Sequence, residues 1–237
     1  MAETRDIIGY RRDHLEVDPP YLVPNFKSSR LRAPQQPLVS LKHTLSEVTG
    51  PVFGHKSVAK HEADLTTQHA APPIGQRITL SGRVVDGDGR PVRDTLIEVW
   101  QANSAGRYTH KWDRYEAPLD PNFGGVGRCL TDDEGRYEFV TIKPGPYPFG
   151  NHHNAWRPAH IHFSVFGPAF VTRMVTQMYF PGDPLLVQDP VFNSVPGERA
   201  RSRLICRFDL DATIPDWANA YIFDIVLRGR DTTPTER

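Results

Sequence analysis

The chain has 237 residues, of which 38% are hydrophobic and 24% charged, a composition that fits one large core with extensions, or at most two small domains. Lysine plus arginine equals aspartate plus glutamate at 28 each, so no net charge draws the chain to nucleic acid or to an anionic membrane. The first residues, "MAETRDIIGYRRDHLEVD", are too charged for a secretory signal, no apolar run reaches membrane-spanning length, and two cysteines make no disulfide framework, so a soluble cytoplasmic protein is expected.

Residues 1–75 read differently from the rest. Pro19, Pro20, Pro24, Pro34, Pro37, Pro51, Pro72 and Pro73 interrupt every periodic pattern, because proline lacks the backbone donor that helices and central strands require. Tyr21, Leu22, Phe26, Leu38, Val39, Leu41, Val52 and Phe53 are nevertheless scattered through the segment, which is not the composition of a disordered tail. It reads as an extended Pro-rich arm with no helix or sheet of its own, packed over its own domain or over a partner.

From residue 76 to 237 the pattern is one of strands and tight turns. "RITLSGRVV" (77–85) alternates and meets the hairpin-type turn "DGDGRP". Strands are predicted at 95–101, 127–131, 136–142, 159–165, 173–180, 203–210 and 221–229, with a second turn at "DDEG" (132–135). "GDPLLVQDP" (182–190) holds a helical turn capped by Asp183. Short strands without a long amphipathic helix predict an all-β antiparallel sandwich. Cys129 and Cys206 fall in strand contexts and are read as buried thiols, a single bridge being the alternative.

Strand 159–165, "AHIHFSV", aims two imidazoles the same way. Ile161, Phe163 and Val165 share one face, and His160, His162 and Ser164 the other, with the two histidines about 6.6 Å apart along the backbone. Alone, this pattern fits a strand with a polar outer face as well as it fits a metal pair. No Cys-x-x-Cys spacing completes a zinc site and no carboxylate completes a ferrous facial triad. The chain does offer tyrosine in two conspicuous loops: Tyr108 in "WQANSAGRYTHKWDRY" and Tyr147 in the proline-stiffened "TIKPGPYPFG". A phenol, with a pKa of about 10, is a poor ligand for a divalent ion near neutrality, but a trivalent ion drives off its proton. Two phenolates and two imidazoles would make a ferric site, whereas Tyr147 by itself also reads as a loop-packing tyrosine.

"WQANSAGRY", "DRYEAPLDPNFGGVGRCLTDDEGRYEFVTIKPGPYP" and "WRPAHIHF" resemble the intradiol ring-cleaving dioxygenases, and the arm's "FKSSRLRAPQQPLVSL" and "LSEVTGPVFGH" resemble the leading segment of their β-type subunits. The resemblance covers most of the chain. It implies one non-haem Fe(III) per chain on Tyr108, Tyr147, His160 and His162, with a solvent hydroxide as fifth ligand. It also implies that a catechol displaces the hydroxide and Tyr147, which together take its two protons, while Tyr108 stays. Arg157 would stabilise negative charge developing on the ring, Gln177 would stand near substrate or O₂, and Trp100, Phe149 and Val191 would line the pocket. Phe149 stands where relatives carry Trp, and Phe26 where relatives carry Tyr. His110, His152 and His153 receive no role and are read as loop or rim residues.

The implied reaction is cleavage of protocatechuate by O₂ to 3-carboxy-cis,cis-muconate, a step of aromatic catabolism (the β-ketoadipate pathway) in the bacterial cytoplasm. The implied partner is a homologous α subunit that helps form the pocket, since this chain offers no evident cation for the substrate carboxylate. A catechol or hydroxyquinol member of the same family is one alternative; those chains are longer and carry a helical N-terminal segment. A metal-free transthyretin-like binding module is another, and "GRVVDGDGRPV" alone would fit it. Colour separates them, because tyrosinate bound to Fe(III) absorbs visible light.

Overall fold

The computed structural model describes residues 17–37, 39, 57–151, 156–166 and 173–236. Eleven strands are formed among them: β1 (Arg77–Val85), β2 (Leu96–Trp100), β3 (Val126–Leu130), β4 (Arg136–Ile142), β5 (Tyr147–Pro148), β6 (Trp156–Arg157), β7 (His160–Phe166), β8 (Arg173–Tyr179), β9 (Arg207–Ile214), β10 (Ala218–Ile222) and β11 (Ile225–Val226). One sheet has β1 at its centre, with β4 along one edge, β10 and β11 along the other, and β9 beyond β10. The second runs β3-β2-β7-β8 and is antiparallel throughout. Ile78, Leu80, Val84 and Phe139 from the first sheet share one core with Ile97, Val99, Ile161, Phe163 and Met178 from the second, as strand alternation requires.

Strand β7 is the element that couples fold to site. Its odd-numbered residues Ile161, Phe163 and Val165 enter the sandwich core, yet His160 and Ser164 on the opposite face are also buried. The strand is therefore covered on both sides, and the histidine face looks into a second, polar interior.

Three features depart from the expectation. First, β10 and β11 run parallel to β1, so that sheet is mixed. The 221–229 segment also breaks at Phe223, whose carbonyl accepts the Tyr137 hydroxyl at 2.5 Å. Gly82 permits that approach, since a Cβ there would stand 1.9 Å from the Phe223 oxygen. Second, the strand expected at 203–210 begins at Arg207, because the preceding residues bond elsewhere: Leu204 O accepts Tyr179 N at 2.7 Å and Cys206 N donates to Tyr179 O at 2.9 Å. Third, the arm does build a helix, α1 (Lys27–Arg32), which ends before Pro34 as proline demands. A second short helix, α2, spans Glu198–Ser202. The helical turn after Asp183 forms at Pro184–Val187, with the Asp183 side chain accepting from Leu185 N.

The described part of the arm lies on the domain that follows it. Val17 joins a small apolar cluster with Tyr179, Phe192, Val195, Ala200 and Leu204, and Phe26 is buried against Phe149 at 6.1 Å between ring centroids. Leu38, Leu41, Val52 and Phe53 lie outside the described residues. Cys129 and Cys206 are buried free thiols, so no bridge joins them. Among the described residues no helix is long and apolar enough to cross a membrane.

Candidate metal centre

The two tyrosine loops are locked together through their backbones. Asn103 organises the first: its Oδ1 accepts the amides of Ala105 and Arg107 at 3.0 and 2.9 Å, and its carbonyl accepts Gly106 N and, from the second loop, Gly145 N. Gly106 has φ +79°, and a Cβ there would lie 2.1 Å from the Pro146 carbonyl oxygen. Glycine is thus required both by conformation and by contact. Asp113 closes the loop by accepting the Tyr108 amide at 2.8 Å. As a result the Tyr108 and Tyr147 rings meet edge to face at 5.5 Å.

Strand β7 brings the imidazoles to the same place. The ring centroids of His160 and His162 are 4.9 Å apart, and that of His160 is 5.5 Å from Tyr147. His160 Nδ1 lies 2.7 Å from the Pro158 carbonyl, which can only accept, so Nδ1 carries the proton and Nε2 the lone pair. That Nε2 stands 3.3 Å from the Tyr147 hydroxyl. His162 is stacked flat on Trp100, 4.6 Å between centroids and 5° between planes, and its Nδ1 faces Glu236 Oε2 at 3.7 Å. The chain's C-terminal segment sets that carboxylate, with Glu236 N donating to Val175 O and Pro234 O accepting from Thr176.

Electrostatics favour neutral imidazoles. Burial, then Arg157 and the neighbouring histidine, hold His160 well below the usual histidine range. Burial lowers His162 as well, against the opposing pull of Glu236. Burial, then Tyr147, raise the Tyr108 phenol above its ordinary value. The Tyr108 hydroxyl is moreover buried without a hydrogen-bond partner, as is His162 Nδ1. A buried hydroxyl left unpaired costs about 1–3 kcal/mol. A hard cation bound by Tyr108, Tyr147, His160 and His162 would remove that cost and displace the phenol proton, so the donor set fits a metal ion. Among the described residues no three His, Cys, Asp or Glu side chains cluster.

Arg157 is not a surface arginine; it is 3% exposed. Its Nε and Nη2 each reach a different oxygen of Asp189 at 3.0 Å, and Nη2 also meets Gln177 Oε1 at 2.5 Å and Tyr179 Oη at 2.9 Å. Burial by itself would lower its pKa, but Tyr179 and Asp189 outweigh this and keep the guanidinium charged. Gln177 pairs across from His162 in the sheet, and Arg157 pairs across from Tyr147 in the β5–β6 ribbon. Phe149 packs at 5.6 Å from the Arg157 guanidinium carbon. Val191, with Gln177, Glu236, Phe26 and Arg32, lines a cavity between arm and core; none of the four candidate ligands lines it. His110 is exposed and helps turn its own loop, and His152 and His153 lie outside the described residues.

Sequence reading did not find Asp189, Tyr179 or Glu236. Asp189 lies in the 182–190 segment, whose sequence signals only a turn. Glu236 had no local signal, because only the fold carries the C-terminal segment alongside β8.

Residues 48–229 match a family model described as dioxygenase, and residues 10–44 match one described as protocatechuate 3,4-dioxygenase beta subunit N terminal. The chain is 58% identical over 221 residues to the protocatechuate 3,4-dioxygenase beta chain of Burkholderia cepacia, covering 92% of this chain and 94% of that one. It is 31% identical over 203 residues to the alpha chain from the same organism, covering 83% and 98%. Among solved structures, hydroxyquinol 1,2-dioxygenase of Pseudomonas putida DLL-E4 superposes with a TM-score of 0.51 at 27% identity, covering 73% of this chain and 59% of that one.

Proposed function

The chain belongs to the intradiol dioxygenase family as a homologue of the protocatechuate 3,4-dioxygenase beta chain, and from that premise we propose that it cleaves the ring of protocatechuate with O₂ to 3-carboxy-cis,cis-muconate. We infer that it holds one ferric ion on Tyr108, Tyr147, His160 and His162 and works beside a homologous α chain in the bacterial cytoplasm. The observation that carries the metal reading is the buried, unpartnered Tyr108 hydroxyl, on a ring set edge to face against Tyr147, whose own hydroxyl lies 3.3 Å from His160 Nε2.

Held by Tyr108, Tyr147, His160 and His162, Fe(III) would supply Lewis acidity toward the diol and activate it for reaction with O₂. The protein's own groups do the rest. Pro158 orients the His160 imidazole, as outer partners of metal-bound histidines do, and Trp100 stacks flat on His162. With the metal bound, the Tyr147 oxygen would take a proton from the diol, so the site would carry its own base. Arg157, charged and fixed by Asp189, offers positive charge beside the ring. Trp100, Phe149 and Val191 are assigned to the pocket wall, and Gln177 to its polar side.

Exposed apolar side chains support the α partner. Leu31 is 94% exposed and Leu22 52% on the arm, while Trp112 is 70% exposed on the Tyr108 loop. Exposed apolar groups of this kind are what a permanent partner covers. The test is co-expression with the α chain of the same organism, followed by oxygen uptake and product analysis on protocatechuate, catechol and hydroxyquinol. Preferential cleavage of protocatechuate, lost when this chain is made alone, is expected. Equal or better turnover of catechol, or full activity of the lone chain, would overturn the reading.

A further inference from the structure

Asp189 is completely buried, and its two oxygens receive four N–H groups. Oδ1 accepts Arg157 Nε at 3.0 Å and Val191 N at 3.3 Å; Oδ2 accepts Arg157 Nη2 at 3.0 Å and Phe192 N at 3.3 Å. The paired edge of the guanidinium fork is therefore consumed by one carboxylate. Gln177 Oε1 and Tyr179 Oη take up Nη2 further, and the Tyr179 hydroxyl itself donates to Gln177 Oε1 at 2.9 Å. Among the described residues, only Nη1 of this arginine is left without a protein acceptor.

A planar guanidinium held along one edge cannot rotate without breaking both bonds. The same carboxylate pins the turn that presents Val191. One buried group thus sets the direction of the free Nη1 donor and the position of Val191, which lines the cavity between arm and core.

We propose that Asp189 is a positioning residue for ring cleavage: it turns Arg157 so that Nη1 alone faces the bound diol, and it fixes Val191 on the pocket wall through the Val191–Phe192 amides. This rests on the reading of the site given above. The prediction is an energetic unit, in which removing one member costs nearly as much as removing both.

The experiment is a double-variant cycle in the iron-loaded α–β assembly: wild type, Asp189→Asn, Arg157→Lys and both together, with kcat and KM for protocatechuate measured for each. Asp189→Asn should lower kcat about 100-fold, the scale of a small misplacement of a catalytic group, with iron content retained and KM changed far less. The double variant should be no slower than Arg157→Lys. Wild-type kcat in Asp189→Asn, or losses that multiply in the double variant, would overturn the proposal. If Asp189→Asn does not fold, Asp189→Glu keeps the charge but displaces it by a methylene, and the same kcat loss at held KM is expected; unchanged kcat would overturn the proposal. A turnover-free readout keeps the two readings apart. The Arg157 Nε–H should exchange with solvent more slowly in wild type than in the folded Asp189 variant, and equal exchange would sink the positioning role even if protocatechuate proves not to be the substrate.

Discussion

Gly106 and Pro146 touch backbone to backbone: a methyl group on Gly106 would stand 2.1 Å from the Pro146 carbonyl oxygen. This contact seats the Tyr108 loop on the Tyr147 loop and sets the spacing of the two phenols. Gly106→Ala combines a left-handed backbone with an overpacked contact, together worth about 2–4 kcal/mol. The variant should unfold at lower temperature and bind iron poorly even where it remains folded. Native iron content and an unchanged melting temperature would show that the loops are not coupled in this way.

Arg157→Lys preserves charge but loses the planar fork that spans Asp189. Turnover of protocatechuate should fall by about 100-fold, on the scale of losing one electrostatic stabiliser, while iron is retained. Wild-type turnover would remove Arg157 from the chemistry.

His162→Ala removes one of the four proposed ligands from a strand whose core face is untouched, because Ile161 and Phe163 carry the packing. Circular dichroism should report an intact sandwich, while iron and visible colour are lost. Full iron occupancy would contradict the assignment of His162.

Burial pushes the Cys129 and Cys206 thiols up to about 12 from an ordinary value of 9.0. At pH 8 the folded protein should resist alkylation by iodoacetamide, and both thiols should react after denaturation. Since the folded pKa lies above the unfolded one, the associated stability is intact below about 9 and is lost as pH rises toward 12. Denaturant midpoints measured across that interval should fall steadily, in step with thiolate formation in the unfolded chain. Rapid alkylation of the native protein would contradict the burial.

What was legible in the sequence was local. The His160/His162 face and the turns after β1 and before β4 follow from alternation and turn chemistry, so their structure was visible before any contact was known. Alternation does not encode strand direction, so the parallel pairing of β10 with β1 was not visible. Nor was the late start of β9, which follows from Leu204 and Cys206 pairing with Tyr179. The arm's helix is not legible in sequence because Pro24 and Pro34 bracket only nine residues, six of which form it. The resemblance named Arg157, but its holder Asp189 sits 32 residues away and is recognisable only once the fold joins them.

The site is proposed to hold a ferric ion on two phenolates and two imidazoles. The most direct measurement is iron content together with the visible spectrum of the purified protein, assembled with its α chain. One iron per copy of this chain and a broad tyrosinate-to-Fe(III) absorption giving a red-brown colour are expected. A colourless protein without iron, purified from iron-replete cells, would contradict the account.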